Sequence, residues 1–224
     1  MEYRYLTTSP EGLVQQLAVC YLRHGYWWYV TGRIPAGKDL LAVDQKLLDK
    51  YGIAISERER SRRKRAGLAN MQYLRYDDWF ILVATAGHHP FKPAERNQIR
   101  DCRRQPIRFA GYSISYRRSG VKNPGQPQKW HASVRIAPDV YKQLKAHFLE
   151  RAMHRNVEAL AREFASLPFA RYAPVRRQLL HLRRAVNKSR VKMGFTELPV
   201  EALRLRRDPV RPFGGDVATG DSVR

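Results

Sequence analysis

The longest unbroken apolar run lies within residues 78–91, where Trp79, Phe80, Ile81, Leu82, Val83 and Ala84 follow one another without a polar interruption. Ended by Gly87 and the helix-breaking Pro90, it predicts a strand covered on both faces, with His88 and His89 emerging at its end. Residues 9–25 open on Ser9, Pro10 and Glu11, a cap, a first-turn proline and an acid at the positive dipole end. They predict a helix with a core stripe of Leu13, Leu17, Cys20 and Tyr21, closed by Gly25. Residues 26–34 are aromatic and β-branched and predict a strand. Asp39 caps a second helix with Leu40, Val43, Leu47 and Tyr51 at helical spacing, stopped by Gly52. Ser56 caps a third segment, 57–65, in which every residue but Ser61 is charged. It has no apolar face, so it is solvated or lies on a partner.

Residues 71–76 predict a strand that turns at Asp77 and Asp78 into the long apolar one. Residues 93–104 read as a helix. Segments 107–118 and 129–136 alternate as the strands of a long hairpin, joined by a polar loop with Gly120, Asn123, Pro124, Gly125 and Pro127. Residues 139–167 keep one helical pattern through Val140, Leu144, Phe148, Met153, Val157, Leu160 and Phe164, ended by Pro168. A further helix, 174–192, buries Val175, Leu179, Leu182 and Val186 and turns Arg176, Arg177, Arg183, Arg184 and Lys188 outward. A short helix follows near 200–207. The pattern predicts an α/β (α+β) fold: a mixed or mostly antiparallel sheet with packed helices over 1–137, followed by a C-terminal helical region, 138–207, packed on it, and a disordered tail, 208–224.

Composition adds a partner class. The 224 residues carry 42 Lys+Arg against 20 Asp+Glu, a net +22, while 43% hydrophobic content supports a real core. Such an excess points to a polyanion. Of the basic residues 31 are Arg and 11 Lys, which favours bidentate phosphate contacts and stacking on bases; a GC-rich genome produces the same bias. Basic clusters recur at 58–65, 96–108, 176–192 and 204–211, and the expected partner is nucleic acid, DNA or RNA, with phosphate contacts from Arg62, Arg63, Arg65, Arg100, Arg103, Arg104, Arg176, Arg177, Arg183 and Arg184. Two cysteines, Cys20 and Cys102, without a CxxC pair, fit buried thiols in a reducing interior. With no signal-like N-terminus and no apolar stretch of membrane-spanning length, the expectation is a cytoplasmic protein with no membrane partner.

The string Gly32-Arg33-Ile34-Pro35-Ala36-Gly37-Lys38 fits the G-x-x-x-x-G-K pattern of a phosphate-binding loop, but Asp39 follows in place of Ser or Thr. A negative charge there repels phosphate, so a turn capped by Asp39 is the better reading. On the hairpin, Tyr112, Ile114 and Tyr116 share one face; on the partner strand Trp130, Ala132, Val134 and Ile136 share one, leaving His131, Ser133 and Arg135 on the other. One register sets Tyr112 and Tyr116 beside His131 and Arg135 as a stacking platform for unpaired bases; the other pairs them with Trp130 as core. Trp27 and Tyr29 pose the same question of core against base contact. His147 and His154, seven apart, share a helix face with Arg151 and Arg155 as a basic surface.

His88 or His89 with His131, and Asp101 or Glu95 from the following segment, make a candidate His/carboxylate site for Mg²⁺ or Mn²⁺, with His89, His131 and Asp101 as ligands and Tyr141 as a nucleophile. The combination of sheet, histidines and tyrosine distantly resembles rolling-circle replication initiators and relaxases. Those enzymes carry His-hydrophobic-His on one strand, and this chain has His88-His89-Pro90 instead, so the resemblance is not membership. It implies a second function class, a metal-dependent nuclease or strand-transferase of a plasmid or mobile element with catalytic His88, His89, His131 and Tyr141. A third class is a structural ribonucleoprotein component.

Overall fold

The computed structural model describes residues 3–120, 128–154, 156–206 and 210–214. They form seven α-helices and two antiparallel sheets, an α+β fold. Two compact units divide the chain, residues 1–100 with 210–224, and residues 101–209. The division thus falls inside the stretch that the hydrophobic pattern treats as a single sheet domain.

The first unit opens with helix α1 (Pro10–Gln15), where Ser9 accepts the Gly12 N–H at 3.0 Å, and continues through a π-helical turn over Gln16–Tyr21. Its sheet contains β1 (Trp28–Arg33), β2 (Met71–Tyr76) and β3 (Trp79–Ala84), with the two-residue β4 (Arg100–Asp101) where the chain leaves the unit; the order is β2-β3-β1-β4. The long apolar run is β3, interior in the sheet, and all but Phe80 of its residues are buried. On β1, Tyr29 and Val30 are each buried, so Tyr29 is core, while Trp27 just before the strand is half-buried and its indole donates to Leu22 O at 3.1 Å.

Helix α2 (Leu40–Lys50) packs on that sheet through Asp44 and Leu48 rather than through a purely apolar stripe. Asp44 is fully buried, where it accepts from the Tyr73 hydroxyl at 2.6 Å and from Arg75 Nε at 2.8 Å. No residue of helix α3 (Glu57–Arg65) is fully buried. The segment after β3 holds one short helix, α4 (Phe91–Ala94), then β4, in place of the helix expected over 93–104. Pro90 and Pro93 each remove a backbone donor there. Of the expected tail, Val210–Gly214 is described and touches this unit: Thr8 N–H donates to Pro212 O, and Gln15 Nε2 to Val210 O.

The second unit holds the other sheet, β5 (Ile107–Phe109), β6 (Tyr112–Arg118) and β7 (Trp130–Ile136), in that order. A turn at Ala110 and Gly111, both at positive φ, splits the first hairpin strand into β5 and β6. Helices α5 (Pro138–Arg151), α6 (Val157–Ala165) and α7 (Ala173–Lys192) complete it. The single helix expected over 139–167 is two, because Asn156 restarts the chain as a cap, accepting the Ala159 N–H at 2.7 Å. Among the described residues no helix is long and apolar enough to cross a membrane.

Candidate nucleic-acid interface

The register of the β6–β7 ladder settles which hairpin residues share a face. Tyr112 pairs with Ile136, Ile114 with Val134, Tyr116 with Ala132 and Arg118 with Trp130. This is the core face, so the tyrosines stand with Trp130 and not with His131 and Arg135. Tyr112 is 1% exposed, its hydroxyl accepts the Ala170 N–H at 2.7 Å, and its ring meets the edge of Phe169. It is a core residue, and the expected base contact at this position does not hold. Burial fades toward the open end of the ribbon: Tyr116 is half-buried and stacks on Trp130 with centroids 5.6 Å apart, and Arg118 lies over the same indole at 5.3 Å. Trp130 itself is 43% exposed.

The opposite face carries three rows: Ser113 across from Arg135, Ser115 from Ser133, and Arg117 from His131. The serines are buried at the sheet surface, while Arg117, His131 and Arg135 are exposed. Partial burial, then the charges of Arg117 and Arg177, lower the Arg135 pKa. Arg108, on the same face, is paired with Asp139 at 3.2 Å.

Arg177 belongs to α7, which runs beside β7. The Gln178 amide accepts from Ile136 N at 2.9 Å and donates to Ile136 O at 3.0 Å, completing the strand's edge as another strand would. Val175, Leu179, Leu182 and Val186 are fully buried, as the periodicity predicts. The 20-residue helix contains seven basic residues and no acidic one. Two of the seven are turned inward onto carbonyls: Arg183 donates to Leu198 O at 2.8 Å, and the buried Arg190 to Thr196 O at 2.6 Å and Ala152 O at 2.9 Å. Arg176, Arg177, Arg184, Lys188 and Lys192 are exposed, with His181 between them. Positions 177, 181, 184, 188 and 192 follow one face over about 22 Å of helix. A groove of about 410 Å³ is lined by Arg183, Arg184, Lys188 and Lys192 together with the acidic Glu197.

The other basic residues divide in the same way. Arg103 is held by Asp101 through Nε and Nη2, the latter at 2.7 Å. Burial acts to raise the Asp101 pKa, and the hydrogen bonds from Arg103 outweigh it, leaving the carboxyl below its ordinary range. Arg104 and Arg100 are exposed. On α3, Arg60 donates to Met71 O and Ile53 O, Arg62 pairs with Glu59 at 2.9 Å, and Arg63 is half-buried with its Nε lacking a partner among the described residues. Arg65 is exposed. Arg183 and Arg103 thus each commit part of the guanidinium to the protein, Nε of Arg183 to Leu198 O and Nε and Nη2 of Arg103 to Asp101.

His89 is buried, with Nδ1 accepting the Phe91 N–H at 3.1 Å and Nε2 3.1 Å from Tyr51 O. Accepting at Nδ1 requires a neutral ring that donates from Nε2, and burial, then the charge of Arg63, lowers its pKa. Neither nitrogen is left for a metal or for proton transfer. His88 is exposed, its backbone bonded to Gly67 and Ala69. Gly87 between them and the strand has φ +115°, and a Cβ there would lie 2.5 Å from Gly67 O, so this glycine serves a close backbone approach. Tyr141 donates to Gln178 O at 3.1 Å, and burial raises its pKa, the wrong direction for a nucleophile. His89 lies in the first unit and His131, Asp101 and Tyr141 in the second. Among the described residues no group of three or more His, Cys, Asp or Glu is arranged to hold a metal ion.

Other readings resolve locally. The G-x-x-x-x-G-K string is the end of β1 and a turn: Gly32 lies under the Phe80 ring, and Asp39 accepts from Leu41 and Ala42 N–H to cap α2. His147 is bonded to Glu163 at 2.6 Å, and Arg155 lies outside the described residues. Cys102 is buried and Cys20 is exposed. Asp44, the buried arginine clamps and the Gln178 amide were not legible as such; the absence of any acid on α7 was. No family model, curated protein or solved structure matches the chain.

Proposed function

We propose that this protein binds nucleic acid through its second unit, with the exposed face of α7 and the polar face of the three-stranded sheet contacting phosphates. The observation that carries the reading is α7 itself, whose seven basic residues stand without a single acid over 20 residues. An ordinary solvated helix mixes signs, since i,i+4 pairs of opposite charge stabilise it and like charges do the reverse. An uncompensated stripe costs folding stability that a polyanion restores on binding, releasing counterions. The Trp130 and Tyr116 stack adds an aromatic surface of the kind on which unpaired bases rest.

The test is retardation of labelled single- and double-stranded DNA and RNA by the purified protein at two salt concentrations, with and without Mg²⁺ or Mn²⁺. The expected result is retardation at low salt that weakens steeply at moderate salt and needs no divalent ion. No retardation of any of the four at low salt overturns the reading, and metal-dependent cleavage would replace it with the nuclease.

A further inference from the structure

Along the core face of the second sheet, burial is lost at one end of the ladder while the ladder itself continues. Tyr112, Ile114, Val134 and Ile136 are 2% exposed or less, whereas Trp130, two rows beyond Val134 on the same face, is 43% exposed. The strands are still joined past it: Ser119 N–H donates to Lys129 O at 2.8 Å, and Lys129 N–H to Ser119 Oγ at 3.0 Å. Trp130 is therefore an exposed ring on a hydrogen-bonded ribbon, and its neighbours fix its plane. The Tyr116 ring, diagonal to it, stacks within 12° of parallel, and the exposed Arg118, directly across, lies over the indole. Arg117 and His131 form the adjoining row on the opposite face, and both are exposed. From Cys102 to Pro138 the sequence has eight Lys or Arg and no Asp or Glu. The acids that bound this stretch, Asp101 and Asp139, are engaged by Arg103 and Arg108.

We propose that Trp130 stacks on an unpaired base, so that this end of the β6–β7 ribbon gives the protein a preference for single-stranded over double-stranded nucleic acid. The proposal rests on the nucleic-acid reading and names the substrate class within it. In a duplex the flat faces of the bases are covered by their neighbours. Only phosphates and groove edges are presented, and the α7 cations meet phosphates without an aromatic ring. A single strand presents the base faces as well. Tyr116 holds the indole in place, which lowers the ordering cost of the stack. A base on the indole displaces the Arg118 guanidinium, because base–aromatic stacking outweighs an exposed cation–π contact, and Arg118 then reaches the phosphate beside that base. A second copy of the chain is the poorer occupant: a surface with cations and no acid over so long a stretch complements a polyanion, and two such surfaces repel each other.

The experiment measures the full chain's affinity for one mixed-sequence oligonucleotide, single-stranded and annealed to its complement, with wild type, Trp130→Leu and Trp130→Phe. Wild type is expected to bind the single strand about tenfold tighter than the duplex at moderate salt. Trp130→Leu, apolar but without a π-face, is expected to lose about tenfold on the single strand and to stay within about twofold on the duplex, which also shows that it is folded. Trp130→Phe is expected to keep the preference to within about threefold, and neither variant alters the salt dependence, since no charge is removed. Equal wild-type affinity for the two substrates, an unchanged single-strand affinity in Trp130→Leu, or an equal loss on both overturns the stack and leaves the nucleic-acid reading standing. No binding of either substrate by wild type overturns both. A wild-type mass that doubles with concentration, and no longer does so in Trp130→Leu, overturns the stack in favour of a second copy on this face.

Discussion

The two sheets differ in what their second face is asked to do. In the first unit neighbouring residues of each strand, which point to opposite faces, are buried: Tyr29 and Val30 on β1, Tyr73 and Leu74 on β2, Ile81 and Leu82 on β3. In the second unit Tyr112, Ile114, Val134 and Ile136 form one core face, and the other is left to serine, arginine and histidine. A sheet that needs only one face for its core can spend the other on recognition. Arginines of both kinds occur in each unit: Arg60 and Arg75 in the first and Arg190 in the second are bonded to carbonyls or a carboxylate, while Arg65 in the first and Arg117, Arg135 and Arg177 in the second are exposed.

If the first unit is scaffold, damage there should appear as lost stability. Asp44→Ala leaves Arg75 buried and unpaired, its side chain 4% exposed, and is expected to cost about 3–5 kcal/mol in denaturant unfolding. A loss below about 1 kcal/mol would mean that Arg75 escapes to solvent and that the pair is not part of the core. Gly87→Ala forces a Cβ against Gly67 O and Ala69 N at positive φ, and about 1–3 kcal/mol is expected. Substitution on the polar face of the second sheet should behave in the opposite sense. Arg135→Thr replaces an exposed side chain on that face and is expected to leave stability within about 0.5 kcal/mol while weakening oligonucleotide binding. Lost stability with unchanged binding would make that face a structural one.

The smallest effect is a pH slope. The folded-state pKa of His89 lies below its unfolded value, so the unfolded chain binds the extra proton first as pH falls through about 6.5. The stability His89 contributes is present above the unfolded pKa and is lost on acidification. His89→Gln should flatten unfolding free energy against pH below about 6.5, and an unaltered slope would show that His89 does not stay neutral in the fold.

Local signals carried most of the fold because they depend on neighbours in the chain. Ser9, Asp39 and Ser56 cap the helices expected of them, and the buried stripe of α7 falls where its period puts it. What the sequence left open depended on partners far along the chain. The hairpin register, on which the roles of Tyr112 and Tyr116 turn, shifts by one residue at no cost visible in the pattern. Asp44 reads as surface until Arg75 and Tyr73 are placed beside it, 31 and 29 residues away. Arginine is the hardest residue to assign from sequence, since Arg183 and Arg184 are adjacent, yet the first caps a carbonyl and only the second is exposed. His89 looked like chemistry because it ends a strand beside a glycine; its two ring bonds, to Phe91 and Tyr51, make it a buried brace.

The central claim is that α7, and not basic charge in general, carries the binding. It is tested most directly by the salt dependence of affinity for two variants of equal charge, Arg184→Gln with Lys188→Gln on α7 and Arg58→Gln with Arg65→Gln on α3. Each phosphate contact adds about 0.9 to the slope of log affinity against log salt, so the α7 pair should lower the slope by nearly 2 and weaken binding at least tenfold, while the α3 pair leaves both near wild type. Equal losses from the two pairs, or a wild-type affinity indifferent to salt, would contradict it.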